Sequence, residues 1–340
     1  MTCDNSNSLT GETQFLYLHR YLYGGATTFA AHLLHKVAAF KKNNIVLRVG
    51  KKYESKLREF GYDLYYRNIS FIALKNIKYP FIVLFKDNFI QVLDLLNEGK
   101  GVSSNTIMVI HDHRDISNKS VSQVKNYKLI TIRKTVQEYL KNKYDLDSTF
   151  MYHPFYSYPI ISKESRKGAI SISRISFEKN TDIIINANKI LENLAIRLYG
   201  CPSRMYVHLY LGGLKGDFKK YYCGKFDKSF EALTGLLSES KFVVDLSVLT
   251  HDGGGTQYTF LEAIHNGCAL ILHRRWLENS DLRPYYCDFR EGYNCLAVEN
   301  EKELVELIKN DPDTTKIVAN ANKLMSRHIN VDWSYLLRHN

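Results

Sequence analysis

Residues 254–267, GGTQYTFLEAIHNG, join a glycine-rich loop to a helix pattern, and their residue types could hold a sugar attached to a diphosphate. Gly253, Gly254 and Gly255 carry no Cβ, so backbone N–H groups in this loop can come close to an anion. Side-chain hydroxyl and amide groups follow where the helix begins, at Thr256, Gln257 and Thr259. An ordinary helix N-terminus after a turn is the alternative interpretation.

The predicted helix also carries an acid, Glu262, one to two turns from its start. Helical spacing places Glu262 on the same face as Tyr258 and Thr259, where its carboxylate could accept hydrogen bonds from the paired hydroxyls of a ribose. The apolar pattern CALIL at 268–272 follows the helix and predicts a buried strand. Helix and strand are therefore expected to pack in one sheet.

A second stretch, 171–188, places an arginine and a lysine at one corner of a predicted sheet. It begins in an apolar strand and ends with amphipathic helix spacing, so Arg174 and Lys179 lie in or beside the loop at the strand's carboxyl end. Ligands collect at this end of the strands in open α/β sheets. Arg can bind phosphate through two parallel hydrogen bonds, and Lys supplies a mobile point charge. Ordinary solvated surface charges are the alternative.

These two stretches, SRISFEKNTDIIINAN at 173–188 and GGTQYTFLEAIHNGCALIL at 254–272, resemble the carboxyl-terminal half of retaining GT-B glycosyltransferases of family 4, which has bacterial and viral members. A strand pattern at 14–19 and YGGATT at 23–28, which opens a predicted helix over 29–40, resemble the family's first strand-to-helix turn. The resemblance covers nearly the whole chain. It implies an α/β protein of GT-B fold, with two Rossmann-like doubly wound domains facing a central cleft.

The resemblance also implies a role for each matching position. Arg174 and Lys179 would bind the donor diphosphate and act in catalysis, and Glu262 would hold the ribose. The amides of Gly24 and Gly25 would face the charge that develops on the diphosphate. The other implied donor-binding residues are Gly224, Lys225 and Phe226 against the base, and Asp252, Gly254, Gly255, Thr256, Gln257, Tyr258 and Thr259 in and after the glycine loop.

The chain departs from the family pattern at Gly254. Family members carry a second glutamate eight residues before the conserved one, and glycine stands there in this sequence. Asp252 is the nearest acid. Either Asp252 contacts the sugar hydroxyls from a shifted loop, or this branch binds its sugar differently.

A histidine follows another predicted buried strand, TIMVI at 106–110. This places His111 at the carboxyl edge of a sheet, and in the resembled family a histidine here reaches the transferred sugar. A structural hydrogen bond and a metal ligand are the other interpretations. The HDH pattern is a weak metal signal because a third ligand is missing, and we expect no metal and no cofactor beyond the donor. Asp112 and His113 are candidate acceptor-side or supporting groups.

Length and element order predict two domains. A chain of 340 residues exceeds the size at which one core usually suffices, and its 45% hydrophobic content is typical of globular proteins. Strand and helix patterns alternate throughout, which predicts two doubly wound units. The predicted division is an acceptor-side domain over 1–155, a donor domain over 156–327, and a helix over 328–340 that crosses back to the first domain. The break lies in YHPFYSYP at 152–159, where two prolines interrupt any continuous element.

The positive charge is concentrated in the first domain. Residues 1–155 contain 22 Lys and Arg against 13 Asp and Glu, or +9, and the remainder has 24 against 22, or +2, which together equal the net +11. A basic surface of this kind could face DNA or an anionic membrane, and a lysine-rich solvated surface explains it equally well. The clusters are Lys41 and Lys42; Lys51, Lys52, Lys56 and Arg58; and Arg133, Lys134, Lys141 and Lys143.

Six scattered cysteines form no CxxC pair and indicate reduced thiols in a cytoplasmic protein, or in the host cytoplasm if the chain is viral. The polar start, MTCDNSNSLTGETQ, lacks the apolar centre of a signal peptide. No window of the sequence is apolar for long enough to predict a transmembrane helix.

The predicted function is transfer of a sugar from a nucleotide diphosphate sugar to an acceptor hydroxyl of a glycan, lipid or protein, with retention of configuration and without a metal. Three alternatives stay open. The acceptor could be a hydroxymethylated base in DNA, the protein could be a GT-B epimerase, or it could be a non-catalytic protein that binds a nucleotide sugar.

Overall fold

The computed structural model describes residues 13–18, 24–37, 45–49, 56–70, 74, 77, 79–86, 89–98, 106–161, 163, 165–248, 256–277 and 288–338. The chain forms two compact units, one of Met1–Tyr156 with Asn330–Asn340 and the other of Ser157–Ile329. The division between Tyr156 and Ser157 falls within the proline-interrupted stretch. In the described residues no helix has both the length and the apolarity needed to cross a bilayer.

The first unit contains an eight-stranded sheet. Its strands are β1 (Thr13–Tyr17), β2 (Ile45–Val49), β3 (Arg58–Gly61), β4 (Leu64–Ile69), β5 (Tyr79–Leu84), β6 (Ile107–Ile110), β7 (Lys128–Thr131) and β8 (Thr149–Phe150), in the order β3-β4-β2-β1-β5-β6-β7-β8. Only β3 is antiparallel to its neighbour. The described helices of this part are α1 (Gly25–Val37), α2 (Ile90–Glu98), α3 (Val121–Val124) and α4 (Lys134–Tyr144).

The second unit contains a six-stranded parallel sheet in the order β11-β10-β9-β12-β13-β14. Its strands are β9 (Ala169–Ser171), β10 (Arg197–Tyr199), β11 (Tyr222–Gly224), β12 (Phe242–Asp245), β13 (Ala269–His273) and β14 (Leu296–Val298). The helices are α5 (Thr181–Leu191), α6 (Lys215–Tyr221), α7 (Phe230–Ser238), α8 (Tyr258–His265), α9 (Arg274–Leu277), α10 (Glu301–Asn310) and α11 (Thr315–Asn330).

Apolar strand sequences explain both sheets. Every residue of β6, β12 and β13 is buried, as expected for parallel strands covered by helices on both faces. In both units the chain winds outward from a central strand, first in one direction and then in the other. The switch points lie between β1 and β5 and between β9 and β12, and in doubly wound sheets a ligand binds at the carboxyl ends of such a pair.

The carboxyl terminus differs in detail from the single helix predicted over 328–340. α11 ends at Asn330, four residues interrupt the helix, and α12 (Tyr335–Arg338) follows. Asp332 causes the new start, because its carboxylate accepts the Tyr335 N–H at 3.1 Å. Trp333 anchors this return to the first unit: it is fully buried, and its indole N–H donates to the Tyr152 carbonyl at 2.9 Å.

Candidate functional site

Lys179 lies at the switch point of the second sheet, in a 3-10 turn between β9 and α5. Its side chain is 10% exposed. The ammonium donates to the Ser247 hydroxyl at 2.5 Å and to the Gln257 amide oxygen at 3.0 Å, and both Asp245 carboxylate oxygens lie 3.4 Å from it. The structure therefore brings together Lys179 and Gln257, two residues that the sequence places 78 positions apart.

Sequence reasoning missed Asp245 and Ser247. Asp245 ends β12 with a fully buried side chain and accepts hydrogen bonds from both the backbone N–H and the hydroxyl of Ser247. The available signal was the pattern FVVDLS, in which an acid follows a buried apolar run at a strand's carboxyl end. The same rule drew attention to His111.

Arg174 differs from Lys179 in its surroundings. Its side chain is 45% exposed and forms an ion pair with Glu178, and its Nε donates to the Ser176 hydroxyl at 3.2 Å. Both cations stand at the β9-to-α5 corner, as predicted from the sequence. Lys179 is enclosed at the sheet edge, whereas the Arg174 guanidinium meets solvent.

The ends of β10 and β11 pack against the same corner through Gly200. A Cβ on Gly200 would stand 2.1 Å from the Ser173 carbonyl oxygen, so only glycine allows this approach. The Gly200 N–H donates to the Gly224 carbonyl at 3.0 Å, and Gly224 has a φ of +99°. Gly224 ends β11, the strand next to β10, and exposed Lys225 and half-buried Phe226 follow it directly.

The start of α8 carries the remaining described residues that the sequence predicts to bind the donor. Gln257 is the N-cap residue, with Tyr258 buried and Thr259 half-buried in the first turn. Thr256 is buried, and its hydroxyl donates to the Asp288 carboxylate at 3.3 Å. Helix N-termini attract anions because their first N–H groups lack helical partners, so this end of α8 and Lys179 both favour negative charge.

Glu262 lies one turn after Tyr258 and is buried at 5% exposure. Burial raises the pKa of its carboxyl to about 8. Burial, together with the nearby Glu262 carboxyl, also raises the pKa of Tyr258. Glu262 therefore keeps its proton at neutral pH in this structure, and the predicted role as a ribose acceptor requires that it lose this proton.

His111 follows β6 in the first unit, where its ring contacts Phe29 of α1 edge to face at 4.6 Å between centroids. Its Nε2 donates to the Val83 carbonyl on β5 at 2.8 Å. Burial lowers the pKa of His111 to about 4, so the ring is neutral at pH 7. With the proton on Nε2, Nδ1 is left as an acceptor.

The His111 loop is held by a buried acid. The Asp115 carboxylate accepts the backbone N–H groups of His111 and Asp112 at 2.9 and 3.0 Å and forms an ion pair with Lys86. Gly24 directly precedes α1, with a φ of +74° and a carbonyl that accepts the Thr27 N–H at 3.1 Å. α1 then starts at Gly25, and its buried Phe29 contacts the His111 ring.

Three predicted donor-binding residues, Asp252, Gly254 and Gly255, lie outside the described residues. Among the residues that the structure describes, no group of three or more His, Cys, Asp and Glu side chains could hold a metal ion. Two other aspartates lie at helix ends. Asp145 follows α4 in the left-handed conformation, and the Asp313 carboxylate accepts the Thr315 N–H at the start of α11.

Solved structures share this architecture over both units. An alpha-glucosyltransferase in complex with UDP and a 13-mer DNA containing an HMU base matches with a TM-score of 0.68 and 15% identity, over 96% of this chain and 97% of that chain. HepE from Anabaena, in complex with UDP and glucose, matches with a TM-score of 0.65 and 13% identity, over 96% and 97%. The chain has the GT-B fold. A glycosyltransferase from Rickettsia africae shares it at a TM-score of 0.63 and 11% identity, over 97% and 96%.

No protein-family model and no curated protein sequence matches the chain. The GT-B structures that it resembles are glycosyltransferases, and HepE was also solved with UDP-glucose. The predicted fold class, an α/β chain of two doubly wound parallel sheets, is confirmed.

Proposed function

We propose that the protein transfers a sugar from a uridine diphosphate sugar to an acceptor hydroxyl, with retention of configuration, without a metal, and as a member of glycosyltransferase family 4. The observation that carries the proposal is the enclosed Lys179 ammonium at the switch point, in contact with the N-cap residue of α8. A buried cation beside a helix N-terminus suits a diphosphate. The UDP complexes of HepE and the alpha-glucosyltransferase support uridine as the nucleoside.

The proposed reaction places charge where these groups stand. The bond from the anomeric carbon to the diphosphate oxygen breaks, the acceptor oxygen bonds to the same face of that carbon, and the acceptor proton passes to the diphosphate. Lys179, Arg174 and the first turn of α8 stabilise the negative charge that grows on the leaving diphosphate. Neutral His111 offers Nδ1 to a sugar hydroxyl and carries no proton to donate there. The proposed location is the cytoplasm, where free thiols such as Cys201, Cys223, Cys268 and Cys295 stay reduced.

A screen of uridine diphosphate sugars by thermal shift and by product analysis tests this function. A ligand at about 100 times its dissociation constant stabilises a protein by roughly 2.7 kcal/mol. We expect UDP and one or more UDP-sugars to raise the melting temperature, and the stabilising sugar to be transferred or slowly hydrolysed. Stabilisation without any release or transfer of the sugar supports the non-catalytic alternative, and an isomerised free sugar supports an epimerase.

Replacing Glu262 by Gln tests both the buried carboxyl and the ribose contact. The folded protein keeps the Glu262 proton up to about pH 8, whereas the unfolded chain loses it near the ordinary pKa of 4.5. Between these values the unfolded state binds fewer protons, so the wild-type free energy of unfolding falls as pH rises. We expect the unfolding free energy of Glu262→Gln, measured by urea titration, to lack this contribution and to rise relative to wild type from about pH 5 to about pH 8.

The same variant should bind UDP more weakly in calorimetry, because an amide keeps the shape of the side chain and loses the paired acceptor. Parallel pH curves for the two proteins would mean that Glu262 is ionised at neutral pH in the folded state. Unchanged UDP affinity together with altered stability would restrict Glu262 to helix packing.

A DNA acceptor is the second candidate, and α4 carries the observation that favours it. Lys134 lies over the Phe150 ring at 5.6 Å, and Lys143 lies over the Tyr139 and Tyr144 rings at 5.0 and 5.1 Å. Lysines beside aromatic rings are a feature of nucleic-acid-binding surfaces. The alpha-glucosyltransferase of the same fold was solved with DNA. The lysine pair at 51 and 52 lies outside the described residues.

Salt dependence distinguishes a DNA acceptor from a glycan, lipid or protein. If α4 contacts DNA, duplex affinity should fall with salt with a slope of about −0.9 per phosphate contact, because bound counterions are released. Lys134→Ala with Lys143→Ala should flatten the slope by about 0.9 for each lysine that contacts a phosphate. The control is Lys302→Ala with Lys309→Ala, an exposed pair on α10 of the second unit. Equal slopes in the two double variants would remove α4 from a DNA surface.

A further inference from the structure

The three partners of the Lys179 ammonium differ in exposure. An ammonium has three N–H groups, and here they meet Asp245, Ser247 and Gln257. Asp245 and Ser247 are each 1% exposed, whereas Gln257 is only half-buried at the start of α8. A phosphate oxygen that reaches Lys179 therefore replaces Gln257 most easily and leaves the two buried partners in place.

We propose that Asp245, through its contacts with Lys179 and Ser247, is the positioning residue that holds the Lys179 ammonium ready for the diphosphate. This inference rests on the proposed function, since it assigns the support of the same phosphate site. Asp245 would not touch the donor. Asp245 holds the ammonium in place while the N–H that Gln257 accepts binds the phosphate.

The geometry makes Ser247 part of this support. Asp245 accepts the Ser247 backbone N–H at 3.0 Å and its hydroxyl hydrogen, which leaves the hydroxyl oxygen free to accept from Lys179 at 2.5 Å. The next residues join the same corner, because the Asn180 side chain donates to the Leu246 carbonyl at 2.9 Å. The turn that carries Lys179 is therefore bound to Asp245 and to both residues that follow it.

Fixing the lysine matters because its stem has several rotatable bonds. A lysine side chain loses considerable rotamer entropy when it becomes ordered. If the site orders the side chain before the ligand arrives, this entropy loss no longer reduces the binding affinity. A protein tolerates a buried carboxylate when a counter-charge stands beside it, and the Lys179 ammonium lies beside Asp245. The Lys179–Asp245 pair lies at the carboxyl ends of β9 and β12, where ligands bind in doubly wound sheets.

The opposite end of β12 offers a matched control. Lys241 stands just before this strand and pairs with Asp311 at 2.6 Å, where the Asp311 side chain is 65% exposed. Asp311 has a φ of +42°, which asparagine tolerates well. Asp311→Asn therefore makes the same chemical change as Asp245→Asn in the same unit. It removes the carboxylate partner of a lysine at the end of β12 that is opposite the ligand edge.

A double-mutant cycle in UDP affinity tests the proposal. The proteins are wild type, Lys179→Met, Asp245→Asn and the double variant, with Asp311→Asn as the control, and UDP binding is measured by calorimetry. We expect Asp245→Asn to weaken UDP binding between about tenfold and about a hundredfold, as for the loss of a hydrogen bond to a charged group. In the Lys179→Met background the same change should have little effect, because Asp245 acts through the lysine. Asp311→Asn should bind UDP like wild type.

Three outcomes separate this inference from the proposed function. If Lys179→Met leaves UDP affinity unchanged, the phosphate site itself is wrong. If Lys179→Met weakens binding and the loss caused by Asp245→Asn is as large in both backgrounds, the site stands and the positioning role fails. Tighter UDP binding by Asp245→Asn would also overturn the positioning role, because the effect of Asp245 would then be to neutralise the Lys179 charge. Should Asp245→Asn not fold, Ser247→Ala replaces it in the same cycle with the same expected pattern.

Discussion

Replacing Lys179 by Met should lower UDP affinity and the rate of sugar transfer between about tenfold and about 150-fold, and it should also lower stability because buried Asp245 loses its counter-charge. A hydrogen bond to a charged group contributes about 1.5 to 3 kcal/mol, and each 1.4 kcal/mol is a factor of ten. Methionine keeps the apolar stem of this buried side chain and removes only the ammonium. Calorimetry with UDP and initial rates with the active UDP-sugar measure the two effects.

Lys241→Met is the matched control, since Lys241 stands just before the amino end of β12 in an ion pair of its own. It should keep wild-type affinity and rate. Arg174→Ala should have a smaller effect than Lys179→Met, because Arg174 is 45% exposed and solvent can screen its charge. Wild-type turnover in both site variants would mean that the β9-to-α5 corner does not bind the diphosphate.

Gly200→Ala should destabilise the second unit by about 2 to 4 kcal/mol, from overpacking and backbone strain together. The new methyl group would stand 2.1 Å from the Ser173 carbonyl oxygen, and the φ of +148° disfavours any residue with a Cβ. Since Ser173 precedes Arg174, relief of this clash must move the phosphate corner, and UDP affinity should fall as well. Urea unfolding and UDP calorimetry measure the two changes.

Gly235→Ala provides the comparison for this substitution. Gly235 lies inside α7, its φ is not positive, and a Cβ there would meet nothing within 4 Å. Alanine at such a helix position should stabilise the protein by about 0.4 to 1 kcal/mol. Equal stability of Gly200→Ala and Gly235→Ala would show that the approach of Gly200 to Ser173 is not a constraint.

The elements that position the site were predictable because their signals are local. The strand predicted from TIMVI at 106–110 is β6 at Ile107–Ile110, and the strand predicted from CALIL at 268–272 is β13 at Ala269–His273. The helix predicted over 29–40 begins earlier, at Gly25, because the Gly24 carbonyl already accepts the Thr27 N–H. The positions of Arg174 and Lys179 beyond β9 and of His111 beyond β6 follow from the same rule, in which a polar residue after a buried strand lies at the ligand edge of the sheet.

The partners of these residues were not predictable from local patterns. Sequence spacing did not distinguish the cations Arg174 and Lys179. In the structure the Lys179 side chain is enclosed and the Arg174 side chain is exposed. The carboxyl-terminal stretch was predicted as one helix, yet Asp332 starts a new one where buried Trp333 returns to the first unit. Asp332 caps the new helix locally, whereas the burial of Trp333 depends on residues that are distant in sequence, such as Tyr152.

The sequence by itself determined the alternation of strands and helices, hence two doubly wound sheets, and the loops that carry polar residues at their ligand edges. Periodicity and glycine placement act over a few residues, so they can be read directly. Only the tertiary structure decided that Lys179 meets Asp245, 66 positions away, and that Glu262 is buried enough to hold its proton at neutral pH. Both depend on which strands become neighbours and on how much water their packing excludes, and these are properties of the whole fold.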